Sequence, residues 1–237
     1  MNTRLKYLFL CALLCLLALN AGGNAGAVTT QAKWQVLFDG KSTEAWRGYR
    51  RDSFPSKCWN VEGDQLKTIK DCEKADHVDI ITKDTYQNFE LELEWRVSPG
   101  GNSGIIYLVS EEKDESWKSG PEMQVLDDDK HPDGKNPKTS AGALYGLIAP
   151  TNKTLKPVGD YNKVRLVVRN GHVQHWLNGK KVVEYDLGSD MLKDLVAQSK
   201  FKDYPHFAEN REGHIALQHH GDEVWYRNIR VRALPAK

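Results

Sequence analysis

The chemically loaded part of this chain is a set of polar residues placed at strand spacing inside apolar runs. Glu94 and Arg96 lie two apart in the run 89–97, Glu122 and Gln124 in 120–127, and Gln218 and His220 in 213–221. Residues two apart on a strand share a face. Three such strands side by side would form one sheet face carrying carboxylate, guanidinium, amide and imidazole groups. Such a face both donates and accepts hydrogen bonds and can move protons, which suits a small hydroxyl-rich ligand such as a sugar. A plain solvated sheet face more often carries Lys, Thr and Ser.

Glu122 is the candidate catalytic or metal-binding carboxylate. Its ordinary alternative is a buried salt bridge to Arg96. His175, beside Trp176 and opposite to it in direction, and His220, before Gly221 at a strand end, are candidate acid/base groups or ligands. A satisfied sheet histidine and a turn histidine are the bland readings of the two. Glu94 and Arg96 pair with each other or with Glu122, and a forked guanidinium holds a sugar hydroxyl or carbonyl oxygen. Gln124 and Gln218 suit hydroxyl recognition, because amides donate and accept. Asn102, in Gly100-Gly101-Asn102-Ser103-Gly104, either binds substrate or occupies a left-handed turn. Tyr107 and Tyr145 stack on a sugar ring or fill the core. A divalent ion is an open cofactor reading, with Glu122, His175 and His220 as candidate ligands. Asp127-Asp128-Asp129 reads as a solvated loop, with a calcium site as the lesser reading.

An ordinary retaining glycosidase needs two carboxylates about 5 to 5.5 Å apart. Glu122 and Asp127 are five apart, so a regular strand turns them to opposite faces unless a bulge intervenes. The position between them on the Glu122 face is Gln124, not an acid. This pattern favours one carboxylate working with histidine.

These residues need a sheet to hold them. Short alternating runs predict strands over 34–38, 78–82, 89–97, 104–109, 122–126, 164–169, 172–177, 181–185, 214–219 and 224–231. Asn170-Gly171 and Asn178-Gly179 mark tight hairpins. Strands at this spacing, with one helical stretch over 189–199 capped by Ser189, predict an all-β sandwich or jelly roll. The Asp-, Lys-, Pro- and Gly-rich segment 127–141 is long for a loop. It directly follows the Glu122 strand, where it could form a wall or lid.

Lys and Arg number 33 against 32 Asp and Glu, so nothing here attracts nucleic acid or an anionic membrane. Arg4 and Lys6, the apolar run 7–19 and Ala25-Gly26-Ala27 read as a signal peptide over 1–27. One domain over 33–235 remains, with export to the periplasm or medium expected and no membrane attachment after cleavage. Two cysteines, Cys58 and Cys72, flank an apparent hairpin that would bring them together. Export makes a disulfide plausible; two separate buried thiols are the other reading.

Several motifs carry a resemblance. They are Leu37-Phe38-Asp39-Gly40-Lys41 with Trp46, Trp59-Asn60-Val61-Glu62-Gly63-Asp64, Glu94-Trp95-Arg96, Pro99-Gly100-Gly101-Asn102-Ser103-Gly104, Gly120-Pro121-Glu122-Met123-Gln124-Val125-Leu126-Asp127, Ala141-Gly142-Ala143-Leu144-Tyr145, His175-Trp176-Leu177-Asn178-Gly179 and Gln218-His219-His220-Gly221. Together they resemble the 3-keto-disaccharide hydrolase domain family, formerly domain of unknown function 1080, over about 33–232. One departure is Gly63-Asp64, where the family pattern has aspartate then glycine. The resemblance implies a concanavalin-like jelly roll and cleavage of glycosides oxidised to a ketone at C3, by elimination across C1 and C2 and then hydration. It also implies a small carbohydrate substrate and a separate 3-dehydrogenase or oxidase to supply it. A carbohydrate-binding module without catalysis is the alternative on the same fold.

Overall fold

The computed structural model describes residues 32–70, 72–73 and 78–236; the expected leader over 1–27 lies outside them. Thirteen strands among these residues form two antiparallel sheets. The larger contains β1 (Gln35–Phe38), β3 (Trp59–Glu62), β4 (Gln65–Thr68), β6 (Phe89–Val97), β9 (Asn162–Arg169), β10 (His172–Leu177), β11 (Lys180–Asp186) and β13 (Val224–Ala233). Its order is β11-β10-β9-β6-β13-β4-β3, with β1 also paired to β13. The smaller contains β2 (Trp46–Gly48), β5 (Ile80–Thr82), β7 (Asn102–Val109), β8 (Glu122–Leu126) and β12 (His214–Leu217), in the order β2-β5-β12-β7-β8. The predicted all-β sandwich is therefore present; β2, only three residues long, is the strand the pattern did not reveal.

The alternation decides which face each strand buries. In β6, Phe89, Leu91, Leu93, Trp95 and Val97 enter the core between the sheets. The residues between them, Glu90, Glu92, Glu94 and Arg96, face outward and are tied down there. Glu90 pairs with Arg165 and Arg232, Glu92 with Arg230, and Glu94 with Arg227 (2.8 Å) and Lys163 (3.6 Å). In β8 the apolar Met123 and Val125 enter the core, so Glu122 and Gln124 face the other side of the smaller sheet. In β7 the register against β12 slips, and Leu108 takes a left-handed φ of 55° at the slip. The extra residue breaks the alternation: Ile105, Tyr107 and Leu108 all join the main core, while Ile106 and Val109 pack on the outer face.

Helix α1 (Asp190–Ala197) is capped as expected, with the Ser189 hydroxyl accepting from Leu192 N. Of its apolar residues Leu192 is buried, but Met191 is half exposed. The long segment after β8 is pinned rather than loose. Asp127 accepts from the backbone of Gly100, Asp129 and Lys130, and Asp128 accepts from Ala141 N and the Lys153 ammonium. Two short 3-10 turns, Pro132–Lys135 and Pro137–Thr139, fill it. Gly142 and Gln124 then bond through their backbones, and Tyr145 N donates to Glu122 O, so the segment returns along the edge of β8. The aspartates thus hold the loop through backbone N–H groups and Lys153, which is the structural reading of that acidic run. Cys58 and Cys72 form a disulfide that closes the β3–β4 hairpin. No helix among the described residues is long and apolar enough to cross a membrane.

Candidate active site

The outer face of the smaller sheet carries a pocket of about 450 Å³ lined by Asn102, Glu115, Trp117, Glu122, Gln124, Tyr145, Lys200, Gln218, His219 and His220. Six residues singled out in the sequence meet here: Asn102, Glu122, Gln124, Tyr145, Gln218 and His220. β8 presents Glu122 and Gln124; β7 presents Asn102. Gln218, just past β12, is held by its backbone N–H on Gly104 O. Asn102 is not in a left-handed turn; it begins β7 and is buried.

Gly104 of β7, on which the Glu122 side chain lies, is what makes room for the carboxylate. A Cβ there would lie 1.9 Å from Glu122 Oε1 and 2.6 Å from its Cδ. The carboxylate therefore lies against the backbone of β7, with only 6% of the residue exposed. Burial pushes the Glu122 carboxyl up to about 8; the Lys200 ammonium pulls the other way, and the Asp79 and Asp133 carboxylates add to the rise. Lys200 stands on the exposed side of the pocket, and the part of it that is desolvated there lowers its own pKa. Its Nζ stands over the rings of Tyr145 (4.5 Å), Trp117 (4.7 Å) and Phe201 (5.3 Å). His220 stands exposed at the rim, where burial of part of the ring lowers its pKa, Asp222 opposing.

A hydrogen-bonded row runs beside Glu122. The Gln124 amide lies 3.0 Å from Glu122 Oε1 and 3.1 Å from the Ser103 carbonyl on one side, and 3.2 Å from the Asn102 amide on the other. Asn102 reaches His131 Nε2 at 3.3 Å, and His131 Nδ1 accepts from Asp133 N at 3.1 Å. Tyr145 donates to Asp133 Oδ2 at 3.1 Å, which ties the same loop to the pocket.

Three expected site residues are elsewhere. Glu94 and Arg96 belong to the larger sheet and face away from its core. Glu94 is in the ion pairs described above, and Arg96 bonds Gln65 and Tyr161 and stacks on Trp225 at 4.2 Å. Only two of the three strand pairs therefore share a face, because β6 entered the other sheet. A larger hollow of about 720 Å³ lies on that outer face, lined among others by Glu92, Glu94, Arg165, Trp176 and Arg230. Glu92 and Glu94 are spent on arginines and Lys163, and Asp39 accepts from the backbone of Lys41 and Ser42, so the chemistry belongs to the smaller pocket. His175, on β10 of the larger sheet, is fully buried in the core. Its Nδ1–H donates to Gly142 O (3.2 Å) and its Nε2 accepts from the Tyr107 hydroxyl (2.8 Å), which bonds Tyr185 (2.6 Å). Desolvation lowers it to about 4, so it is a neutral core histidine anchoring the returning loop.

The candidate metal set Glu122, His175 and His220 therefore does not converge. A different trio at the rim, His131, His220 and Asp222, brings ligand atoms within 4.8 Å of one another. It also fits a cation poorly. His131 Nδ1 uses its lone pair on Asp133 N–H, which puts the ring proton on Nε2, the nitrogen that faces Asn102.

Sequence reasoning missed Lys200, Trp117, Glu115 and His219. Lys200 follows α1 in an ordinary polar stretch and carries no spacing signal. His219 turns the opposite way from His220, against Trp59 and the disulfide.

The comparisons agree with this architecture. The family model described as a 3-keto-alpha-glucoside-1,2-lyase-like domain matches residues 33–232. A 3-keto-disaccharide hydrolase of Bacteroides thetaiotaomicron is 40% identical, the match covering 84% of this chain and 78% of that one. A provisionally assigned glycosyl hydrolase from Parabacteroides distasonis superposes with a TM-score of 0.78 at 27% identity, covering 85% of this chain and 94% of its own. A laminarinase from Rhodothermus marinus shares the fold alone, at a TM-score of 0.53 and 10% identity over 86% of this chain and 99% of its own. With nearly the whole described chain matched, the protein belongs to the 3-keto-alpha-glucoside-1,2-lyase-like domain family.

Proposed function

We propose that this protein cleaves glycosides that carry a ketone at C3, with Glu122 as the base. The observation that carries this reading is a single buried carboxylate of raised pKa, facing a polar pocket beside the Lys200 ammonium. A C3 ketone acidifies the C2 hydrogen. Glu122 takes that proton, and the C2–H electron pair moves into the C2–C3 bond as the C3 oxygen becomes an enolate. Lys200 stabilises that oxyanion. The enolate then re-forms the ketone and a C1–C2 double bond while the C1–O bond breaks, and His220 at the rim protonates the departing oxygen. In the second half, water adds to C1, giving its proton to His220, and Glu122 returns its proton to C2. A carboxyl pushed up to about 8 is matched to such two-way proton transfer. Gln124, Gln218, Asn102 and Tyr145 surround the ring hydroxyls.

A binding module has no use for a buried carboxylate with a raised pKa, since desolvating it costs binding energy. The pocket's second carboxylate, Glu115, is exposed and paired with Lys118, which weakens an ordinary two-carboxylate glycosidase. The chain is also proposed to be exported, on the strength of its basic and apolar N-terminal run. A dehydrogenase or oxidase acting at C3 must supply its substrate.

The test is incubation of purified protein with 3-keto-trehalose or a chromogenic 3-keto-glucoside, with the unoxidised sugar in parallel. Release from the keto form alone supports the reading; release from neither, with binding still measurable, overturns it. In the Glu122→Gln variant binding is expected to persist and turnover to vanish.

A further inference from the structure

The row Glu122, Gln124, Asn102, His131 has two ends, and each end is a backbone group with one fixed role. Ser103 C=O accepts only. It lies 3.1 Å from one end of the Gln124 amide, so that end is the nitrogen, and the same nitrogen lies 3.0 Å from Glu122 Oε1. The Asp133 N–H donates only. It donates to His131 Nδ1, so a neutral His131 carries its proton on Nε2 and donates to Asn102. With both amides turned, Asn102 sets its oxygen toward His131 and its nitrogen toward the Gln124 oxygen 3.2 Å away. Reasoned from either end, the polarity is the same, with every donor directed toward Glu122. The reverse polarity sets the Gln124 oxygen against Ser103 O and asks both nitrogens of His131 to accept, which no neutral or protonated imidazole can do.

We propose that His131 is a positioning residue which, through Asn102 and Gln124, holds an amide N–H on the Glu122 carboxylate. The row joins the loop after β8 to the base, so a correctly seated loop and an ionised Glu122 favour each other. The catalytic meaning rests on Glu122 acting as the base; the hydrogen-bond polarity does not. Other groups also set this carboxyl's proton affinity. Lys200 favours the anion, while Asp79 and Asp133 oppose it. Tyr107, Tyr145 and Tyr226 feel the Glu122 charge. Glu115, His219 and His220 complete the pocket wall. None of them fixes the orientation of Gln124.

Two variants separate the relay from the loop. His131→Asn keeps an acceptor where Nδ1 serves Asp133 N–H but loses the donor to Asn102. His131→Gln keeps a donor reaching toward Asn102 but loses the cap. The readout is the Glu122 carboxylate infrared band, titrated in each variant against a Glu122→Gln blank, together with the acid limb of kcat/KM on the 3-keto-glucoside. His131→Asn is expected to raise the Glu122 pKa by up to about one unit, the scale of one hydrogen bond to a carboxylate, because Ser103 O still holds the Gln124 nitrogen while Asn102 no longer fixes its other end, and to move the acid limb with it. His131→Gln is expected to leave both near wild type. An unmoved infrared titration in His131→Asn, or equal shifts in the two variants, overturns the relay. A moved titration with an unmoved kinetic limb upholds the relay and removes Glu122 as the base.

Discussion

Gly104→Ala is the most direct perturbation of the site, because the glycine exists where the carboxylate needs space. Gly104 carries no left-handed φ, so alanine is compatible with the backbone. The added methyl would stand 1.9 Å from Glu122 Oε1 and 2.6 Å from Cδ. To reach an ordinary contact of about 3.5 Å, the carboxylate must withdraw by about 1.5 Å. A displacement of about 1 Å in a catalytic group commonly lowers the rate about 100-fold, so kcat/KM should fall by at least that factor. Folding should suffer little. Overpacking costs about 1–3 kcal/mol, and replacing a strand glycine by alanine returns about 0.5–1 kcal/mol. The net, about 0–2.5 kcal/mol, corresponds to a Tm lower by at most roughly 10 °C for a chain of this size. The assay pairs release from a chromogenic 3-keto-glucoside with a thermal melt. Full activity in a folded Gly104→Ala would show that the carboxylate's seat against β7 is irrelevant to turnover, and would refute the reasoning.

Lys200→Met removes the cation that favours ionised Glu122, so the Glu122 carboxyl should titrate above about 8 and the acid limb of kcat/KM should move to higher pH; an unmoved limb in a pH–rate profile would contradict this. His175 has a folded pKa of about 4 against an ordinary 6.5, so the unfolded chain binds the extra proton between those values. Its contribution to stability is whole above pH 6.5 and lost as pH falls toward 4, at most about 3 kcal/mol, and urea melts at pH 7 and 4.5 should show a loss that is smaller in His175→Asn. Reducing the Cys58–Cys72 disulfide, which closes a loop with a separation of 14, should cost about 3 kcal/mol, or roughly 6–12 °C in a melt with reductant. EDTA should leave turnover unchanged, since neither candidate ligand set offers a convergent group of lone pairs; a loss restored by a divalent cation would overturn that.

The parts of this protein legible in the sequence are those set by neighbours along the chain. Strand period, the Ser189 cap, the Asn-Gly hairpins and the sharing of a face by Glu122 and Gln124 all follow from local backbone geometry. Even the core position of His175 was latent, since it has the parity of the buried Val173 and Leu177. Parity tells which residues of one strand share a face, but it does not say which strand lies alongside. Glu94 and Arg96 have the same spacing as Glu122 and Gln124, yet β6 joined the larger sheet, where its outer charges found Arg227, Lys163, Gln65 and Trp225 from distant parts of the chain. The pocket likewise needed contacts that only folding supplies. Lys200 arrives from beyond α1, His131 from a loop held by aspartates, and Gly104 matters only because a carboxylate 18 residues later lies on it. Desolvation raises the Glu122 pKa, and desolvation belongs to no residue alone; it depends on everything packed around the group.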